Sequence, residues 1–135
     1  MTPFLLDTSV CVAALRDPQC VAARRIAQLQ AGQVFISALV LAELEFGLSL
    51  SAKKAQNRVA LHNFLEYIPV EDWPAGAAVL YGEVRAAMRT AGAQIGAVDF
   101  LIGIHALSRA AMVITDNEKD FRRVPGLKVE NWLKA

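Results

Sequence analysis

Cysteine and histidine are scarce in this chain, with two of each among 135 residues. Cys11 and Cys20 form no CxxC pair and have no histidine close by, which argues against a disulfide framework and against a cysteine-rich zinc site. Both are expected to be reduced, small, packed side chains. Aromatic residues make up only 7%, whereas apolar residues reach 55% with 23 alanines among them. That mixture disfavours an all-β sandwich, favours closely packed helices around a modest sheet, and excludes a disordered chain.

An excess of one charge is also missing. The 14 basic residues almost cancel the 13 acidic ones, so overall charge points neither to a DNA-coating protein nor to a binder of anionic lipid, and any contact with nucleic acid must be local. Long apolar runs are absent too. The longest charge-free stretch, residues 26–42, is broken by Gln28, Gln30 and Gln33 and is shorter than the roughly 20 apolar residues that a membrane span requires. The opening MTPFLLD has no basic region ahead of its apolar residues, which argues against a cleaved secretory signal, and the protein is read as cytoplasmic. The length suits one domain over residues 1–135.

Short apolar runs alternate with longer segments of helical period, the rhythm of a parallel sheet covered by helices. The pattern predicts strands over 4–6, 34–36, 67–70, 111–115 and 127–130. It predicts helices over 8–15, 19–30, 38–50, 53–66, 74–90, 98–109 and 117–121, with Ser37 as a helix cap and Gly32 and Gly92 as stops. The fold class is therefore α/β with a central parallel sheet.

Most acidic residues stand where solvated charges belong, but four do not. Asp7 follows the apolar strand FLL, and Asp116 follows the apolar run MVIT, so both are expected at the carboxyl ends of parallel strands, the edge where open α/β sheets bind ligands. Glu43 has Leu39, Val40, Phe46 and Gly47 as its neighbours three and four residues away on a helix, and Asp99 has Ile95, Gly96, Ile102 and Gly103. Each has an ordinary explanation, as a helix cap, a turn residue or the margin of an apolar stripe. All four together point to a shared cleft. Two such charges about 5 Å apart repel by roughly 3 kcal/mol at an effective dielectric near 20. A divalent cation would remove that conflict, and an all-oxygen ligand set selects Mg²⁺ or Mn²⁺ over zinc. Metal-assisted phosphodiester hydrolysis suits such a site, and neither His62 nor His105 has partners that would make a triad.

With those residues in view, the chain resembles the PIN-domain ribonucleases of the VapC toxin type. The likeness lies in FLLDTSV, SALVLAELEFGL, GAVDFLIGIHAL and VITDNEKDFRRVPGLKVENW, and it covers nearly the whole chain in order and spacing. It implies a three-layer α/β/α fold and a Mg²⁺- or Mn²⁺-dependent endoribonuclease. It further implies a homodimer neutralised by a small VapB-type antitoxin, with RNA, most often tRNA, as substrate. On this likeness Asp7, Glu43 and Asp99 match the family's metal-binding acids. The family's last motif often reads Thr-x-Asp, whereas Thr115-Asp116-Asn117 carries its carboxylate one place earlier. Asp116 is then expected to reach the metal or its waters, Asn117 to orient a ligand, and Asp120 to stand in reserve. Thr8, Ser9 and Thr115 are expected to supply hydroxyls that orient the carboxylates.

Basic residues suited to flanking phosphates are Lys53, Lys54 and Arg58 after the Glu43 helix, Arg85 and Arg89 one turn apart, and Arg122 with Arg123. For each of these groups the alternative is a plain solvated helix face. His105 is expected to be a packed core histidine. Leu48, Leu50, Leu61, Phe64 and Leu65 form the apolar surface where the likeness would seat the antitoxin. The rival to the nuclease is a catalytically inactive PIN-like module that binds RNA or protein. A phosphatase of the Asp-x-Asp type lacks its second acid here, and a receiver domain does not fit the spacing.

Overall fold

The structure is a computed structural model and describes residues 1–134. Its strands are β1 (Phe4–Leu6), β2 (Val34–Ser37), β3 (Val70–Glu71), β4 (Met112–Ile114) and β5 (Lys128–Glu130). Its helices are α1 (Thr8–Arg16), α2 (Val21–Ala27), α3 (Ala38–Leu50), α4 (Lys54–Tyr67), α5 (Ala78–Thr90), α6 (Ala97–Ser108) and α7 (Glu118–Phe121). The strands form one sheet in the order β3-β2-β1-β4-β5, and every neighbouring pair is parallel.

That order determines where a ligand can sit. From β1 the chain steps outward through β2 to β3, then returns across the sheet to β4 and β5. Right-handed crossovers running in opposite directions place their helices on opposite faces. So α1 to α4 cover one face and α5 to α7 the other, the three-layer arrangement that the family resemblance implies. The reversal lies between β1 and β4, and the crevice beyond their carboxyl ends is the site such topology opens. In that crevice Leu6 is paired with Ile114, and the Asp7 N–H donates to the Ile114 carbonyl at 2.9 Å.

Leu5, Leu6, Ile36, Val113 and Ile114 are fully buried, on strands covered from both sides. Each such side chain contributes about 1.5–3 kcal/mol of burial, which is why the strands read as continuous apolar runs rather than as alternation. Helix α6 is the most enclosed helix, with Phe100, Ile102, Ile104 and Ala106 buried along it. Its Gly103 allows close packing, since a Cβ there would meet the Leu127 side chain at 3.4 Å.

Several boundaries differ from the sequence expectation, each for a local reason. Helix α2 is shorter than 19–30: the Cys20 Sγ accepts the Ala23 N–H at 3.4 Å as the cap, and the Gln28 and Leu29 N–H groups bond three residues back in a tightened last turn. Cys20 is thus a half-buried cap, whereas Cys11 is fully buried, and burial pushes its thiol well above the usual range. The strand expected over 67–70 is β3, two residues long. Tyr67 still belongs to α4, Pro69 disfavours helix at Ile68, and pairing with β2 begins only at Val70. The helix expected from 74 starts with a 3₁₀ turn, Ala75–Ala77, before α5. Gly92, at φ +72°, turns the chain out of α5 as anticipated.

Candidate active site

Asp7 stands at the start of α1 but does not cap it with its side chain. The carboxylate instead accepts from the Thr115 hydroxyl, Oγ1 to Oδ2 at 2.7 Å. It is only 6% exposed. Burial is the largest influence on it, and the hydrogen bonds from Thr115 and the Thr8 backbone act against that influence. The charges of Asp99 and Glu43 then add to the burial effect, so the Asp7 carboxyl is pushed up from the usual 3.8 to about 6. Three acids far apart along the chain therefore sense one another.

Glu43 projects from the middle of α3, half-buried, and its Oε1 accepts from Thr8 Oγ1 at 2.6 Å. Asp99 lies in the first turn of α6, where the helix dipole favours an anion. Its carboxyl is nevertheless raised, first by burial and then by the Glu43 charge; Asn117 works against the rise and Asp120 adds to it. Ile95 and Gly96 precede this helix, so the apolar stripe around Asp99 is made by Ile102 and Gly103 alone.

After β4, the side chain of Asn117 bridges two carboxylates, donating from Nδ2 to Asp99 Oδ2 at 3.3 Å and to Asp120 Oδ2 at 3.1 Å. Its backbone N–H donates to Thr115 Oγ1 at 3.0 Å. Asp116 is exposed. Its backbone N–H reaches Ser9 Oγ at 3.4 Å, and its charge is not among those acting on Asp7 or Asp99. Thr8, Thr115 and Asn117 thus each touch a carboxylate, whereas Ser9 touches only the backbone of Asp116. The sequence signal for Asp120 is its position three residues after Asn117, on the same face of α7.

The donor set is wholly oxygen, and it gathers negative charge that burial penalises; that chemistry fits a hard divalent cation. Among the described residues, however, no three His, Cys, Asp or Glu side chains are grouped as a ready-made metal cage.

The expected basic residues are dispersed. Lys53 lines a groove of about 450 Å³ that also contains Glu43, and Lys54 is exposed. Arg58 is taken up by Glu45, with bonds of 2.6 and 2.7 Å. Arg122 pairs with Glu118 and Arg123 with Asp120. Arg85 and Arg89 line a different cavity, beside α6. His105 is a fully buried core residue against Phe35, its Nε2 3.4 Å from Glu71 Oε1. Burial lowers its pKa. Sequence reasoning missed the ion pair beside it, in which Arg109 grips Glu71 through three bonds of 2.9–3.2 Å. No helix among the described residues is long and apolar enough to cross a membrane.

The family model described as the PIN domain matches residues 4–127. The chain is 38% identical over 132 residues to Ribonuclease VapC2 of Rickettsia felis, covering 97% of this chain and 98% of the relative. It is 33% identical to the tRNA(fMet)-specific endonuclease VapC of Shigella flexneri, covering 98% and 99%. The crystal structure of VapBC2 from Rickettsia felis, bound to a DNA fragment from its promoter, contains a chain that superposes with a TM-score of 0.87 at 37% identity, covering 97% of this chain and 99% of that one. Family model, relatives and superposed fold agree: the chain belongs to the PIN-domain family and to the VapC ribonucleases within it.

Proposed function

We propose that this protein is a Mg²⁺- or Mn²⁺-dependent endoribonuclease, the toxin of a type II toxin–antitoxin pair, acting in the cytoplasm as one domain over residues 1–135. The observation that carries this reading is Asp7, a carboxylate almost closed off from water that senses the charges of both Asp99 and Glu43. A buried acid beside two others weakens the fold unless something positive meets it.

Asp7, Glu43 and Asp99 would hold the cation, and Asp120 joins them through Asn117 more readily than the exposed Asp116 does. A bound Mg²⁺ or Mn²⁺ supplies an activated water and offsets charge on the phosphate as the bond breaks. The protein contributes position. Thr115 fixes one Asp7 oxygen, Thr8 fixes one Glu43 oxygen, and Asn117 sets the spacing between Asp99 and Asp120. With one oxygen of Asp7, Glu43 and Asp99 so engaged, the other of each is free to face the cleft, while Asp120 Oδ1 pairs with Arg123. Proton transfer by histidine is not part of this reading, because His105 is sealed in the core and His62 lies out on α4 beside Glu66, at 3.6 Å.

The name of the Shigella flexneri relative makes tRNA the first substrate to test. A VapB-type antitoxin would seat in the groove of Leu15, Leu44, Leu48 and Leu61, whose wall includes Glu43, and the active form would be a homodimer. The purified chain, freed of any partner, should cut tRNA in Mg²⁺ or Mn²⁺ and stop in EDTA. Asp7→Asn and Asp99→Asn should each abolish cutting while far-UV circular dichroism stays unchanged. Equal cutting by the Asn variants would remove the proposed ligands.

A further inference from the structure

On the face opposite the groove just described, α5 and the turn that leads into α6 enclose a separate cavity of about 430 Å³. We propose that this cavity is a subsite for a backbone phosphate of the RNA substrate, at a nucleotide flanking the one that is cut. The assignment rests on the nuclease reading above.

Arg85 and Arg89 sit one helical turn apart on α5, both lining the cavity. Residues so spaced have Cβ atoms about 5–6 Å apart, and two cations there repel. Among the described residues neither has a carboxylate within ion-pair distance, whereas Arg25, Arg58, Arg109, Arg122 and Arg123 each have one. A fold that pairs most of its arginines leaves these two side by side over a cavity.

Arg85 is also held in place. Its Nη1 donates to the Tyr81 hydroxyl at 2.5 Å, and its guanidinium lies 5.7 Å from the centre of the Tyr81 ring. Tyr81 in turn packs on Phe100, with ring centres 5.1 Å apart. A guanidinium fixed at its base loses less freedom when it grips an anion. The floor is apolar, made by Met88, Ile95 and Phe100. A sugar or base can rest on such a floor while the phosphate meets the cations.

The position relative to the acids makes the ligand RNA rather than a free anion. Phe100 lines the cavity, and Asp99, the residue before it on α6, belongs to the acid cluster. The turn between cavity and cluster is pinned by Arg123, which donates to the Gln94 carbonyl at 2.8 Å and pairs with Asp120 at 3.3 Å. One strand can therefore cross the first turn of α6 with one phosphate at the acids and a neighbouring one at the arginines.

The test compares the full chain with its Arg85→Gln/Arg89→Gln double variant. A second double variant, Arg24→Gln/Lys128→Gln, loses the same charge at exposed positions elsewhere. Binding of a fluorescein-labelled RNA stem-loop is followed by anisotropy, with Ca²⁺ in place of Mg²⁺, between about 50 and 200 mM salt. Loss of the cavity arginines should weaken binding about tenfold and reduce the slope of log affinity against log salt by about 0.7, one single-strand phosphate's worth. The Arg24/Lys128 variant should stay within about twofold of the parent. The proposal is overturned if both double variants lose affinity equally, if the cavity variant binds like the parent, or if the parent does not bind RNA. It is also overturned if the cavity variant changes its elution volume on size exclusion, since the arginines would then hold a second copy of the chain. Cleavage in Mg²⁺ is scored separately. A parent that cuts beside a cavity variant that binds normally removes the subsite alone. A parent that never cuts, but binds through these arginines, removes the nuclease reading alone.

Discussion

The Thr115 hydroxyl donates to Asp7 Oδ2 at 2.7 Å, joining two residues 108 positions apart in the chain, and accepts the Asn117 N–H at 3.0 Å. One oxygen atom thus couples the end of β1 to the segment that presents Asn117 and Asp120. The coupling exists because β1 and β4 are neighbours in the sheet.

Removing that hydroxyl has a consequence readable in a pH profile. Its hydrogen bond is the largest influence lowering the Asp7 pKa, so Thr115→Val should raise the carboxyl above its present value of about 6. The acid limb of the cleavage rate against pH should move to higher pH, with activity down about tenfold at neutral pH. Thr115→Ser should restore the parent profile. A Val variant with an unshifted limb would show that the hydroxyl does not tune Asp7.

Asp7 also makes a stability test possible. The folded protein holds the Asp7 proton more tightly than the unfolded chain does, from the usual 3.8 to about 6. The stability this group contributes is therefore fully present below about pH 4 and is lost as pH rises through about 6; at neutral pH the ionised carboxylate costs the fold about 3 kcal/mol. In EDTA, Asp7→Asn should melt several degrees above the parent at pH 7.5, and the gap should close towards pH 4. Mg²⁺ or Mn²⁺ should raise the melting temperature of the parent and leave that of the Asn variant nearly unchanged. Differential scanning calorimetry settles both points, and an Asn variant that melts below the parent at pH 7.5 would contradict them.

Much of this was legible in the sequence. Asp7 and Glu43 stand out because each interrupts an apolar pattern, and the strand and helix rhythm places Asp7 at a strand end. Asp120 was harder to see. It lies in a charged stretch, EKDFRR, and only the short helix α7 turns it towards Asn117 while leaving Asp116 in solvent. The two-residue β3 was blurred for a similar reason. Its pairing depends on the carbonyl of Pro69 accepting from Ile36 at 3.0 Å, a tertiary contact that no local period records. The arginines divide the same way: composition counts them all, but only the fold shows that Arg58 is held by Glu45 and that Arg85 is not held by an acid.

The edge strand offers a third test. Glu71 ties β3 to α6 by gripping Arg109, and Arg109 beside it holds its carboxyl below the usual range, with a smaller contribution from His105. A lowered carboxyl contributes stability that is present above about pH 4.5 and is lost as pH falls through its folded value. Glu71→Gln should cost about 1 kcal/mol at pH 7 in urea denaturation, because the pair is partly exposed, and the loss should vanish under acid conditions. RNA cleavage should be unaffected, since neither Glu71 nor Arg109 is among the charges acting on Asp7 or Asp99.

Asp116 and Asp120 can be separated directly. Asp120 shares Asn117 with Asp99, and its charge acts on Asp99; Asp116 is exposed, and its charge acts on neither Asp7 nor Asp99. Asp120→Asn should therefore lower Mg²⁺-dependent cleavage about a hundredfold, and it should raise the Mg²⁺ concentration giving half-maximal rate. Asp116→Asn should stay within about threefold of the parent on both measures. Because Asp120 also pairs with Arg123 at 3.3 Å, Arg123→Gln serves as the control for lost packing: it removes the ion pair but keeps the carboxylate, so it should not change the Mg²⁺ dependence. If Asp116→Asn proves the more damaging change, the fourth acidic position belongs to Asp116 and the loop after β4 must rearrange when the cation binds.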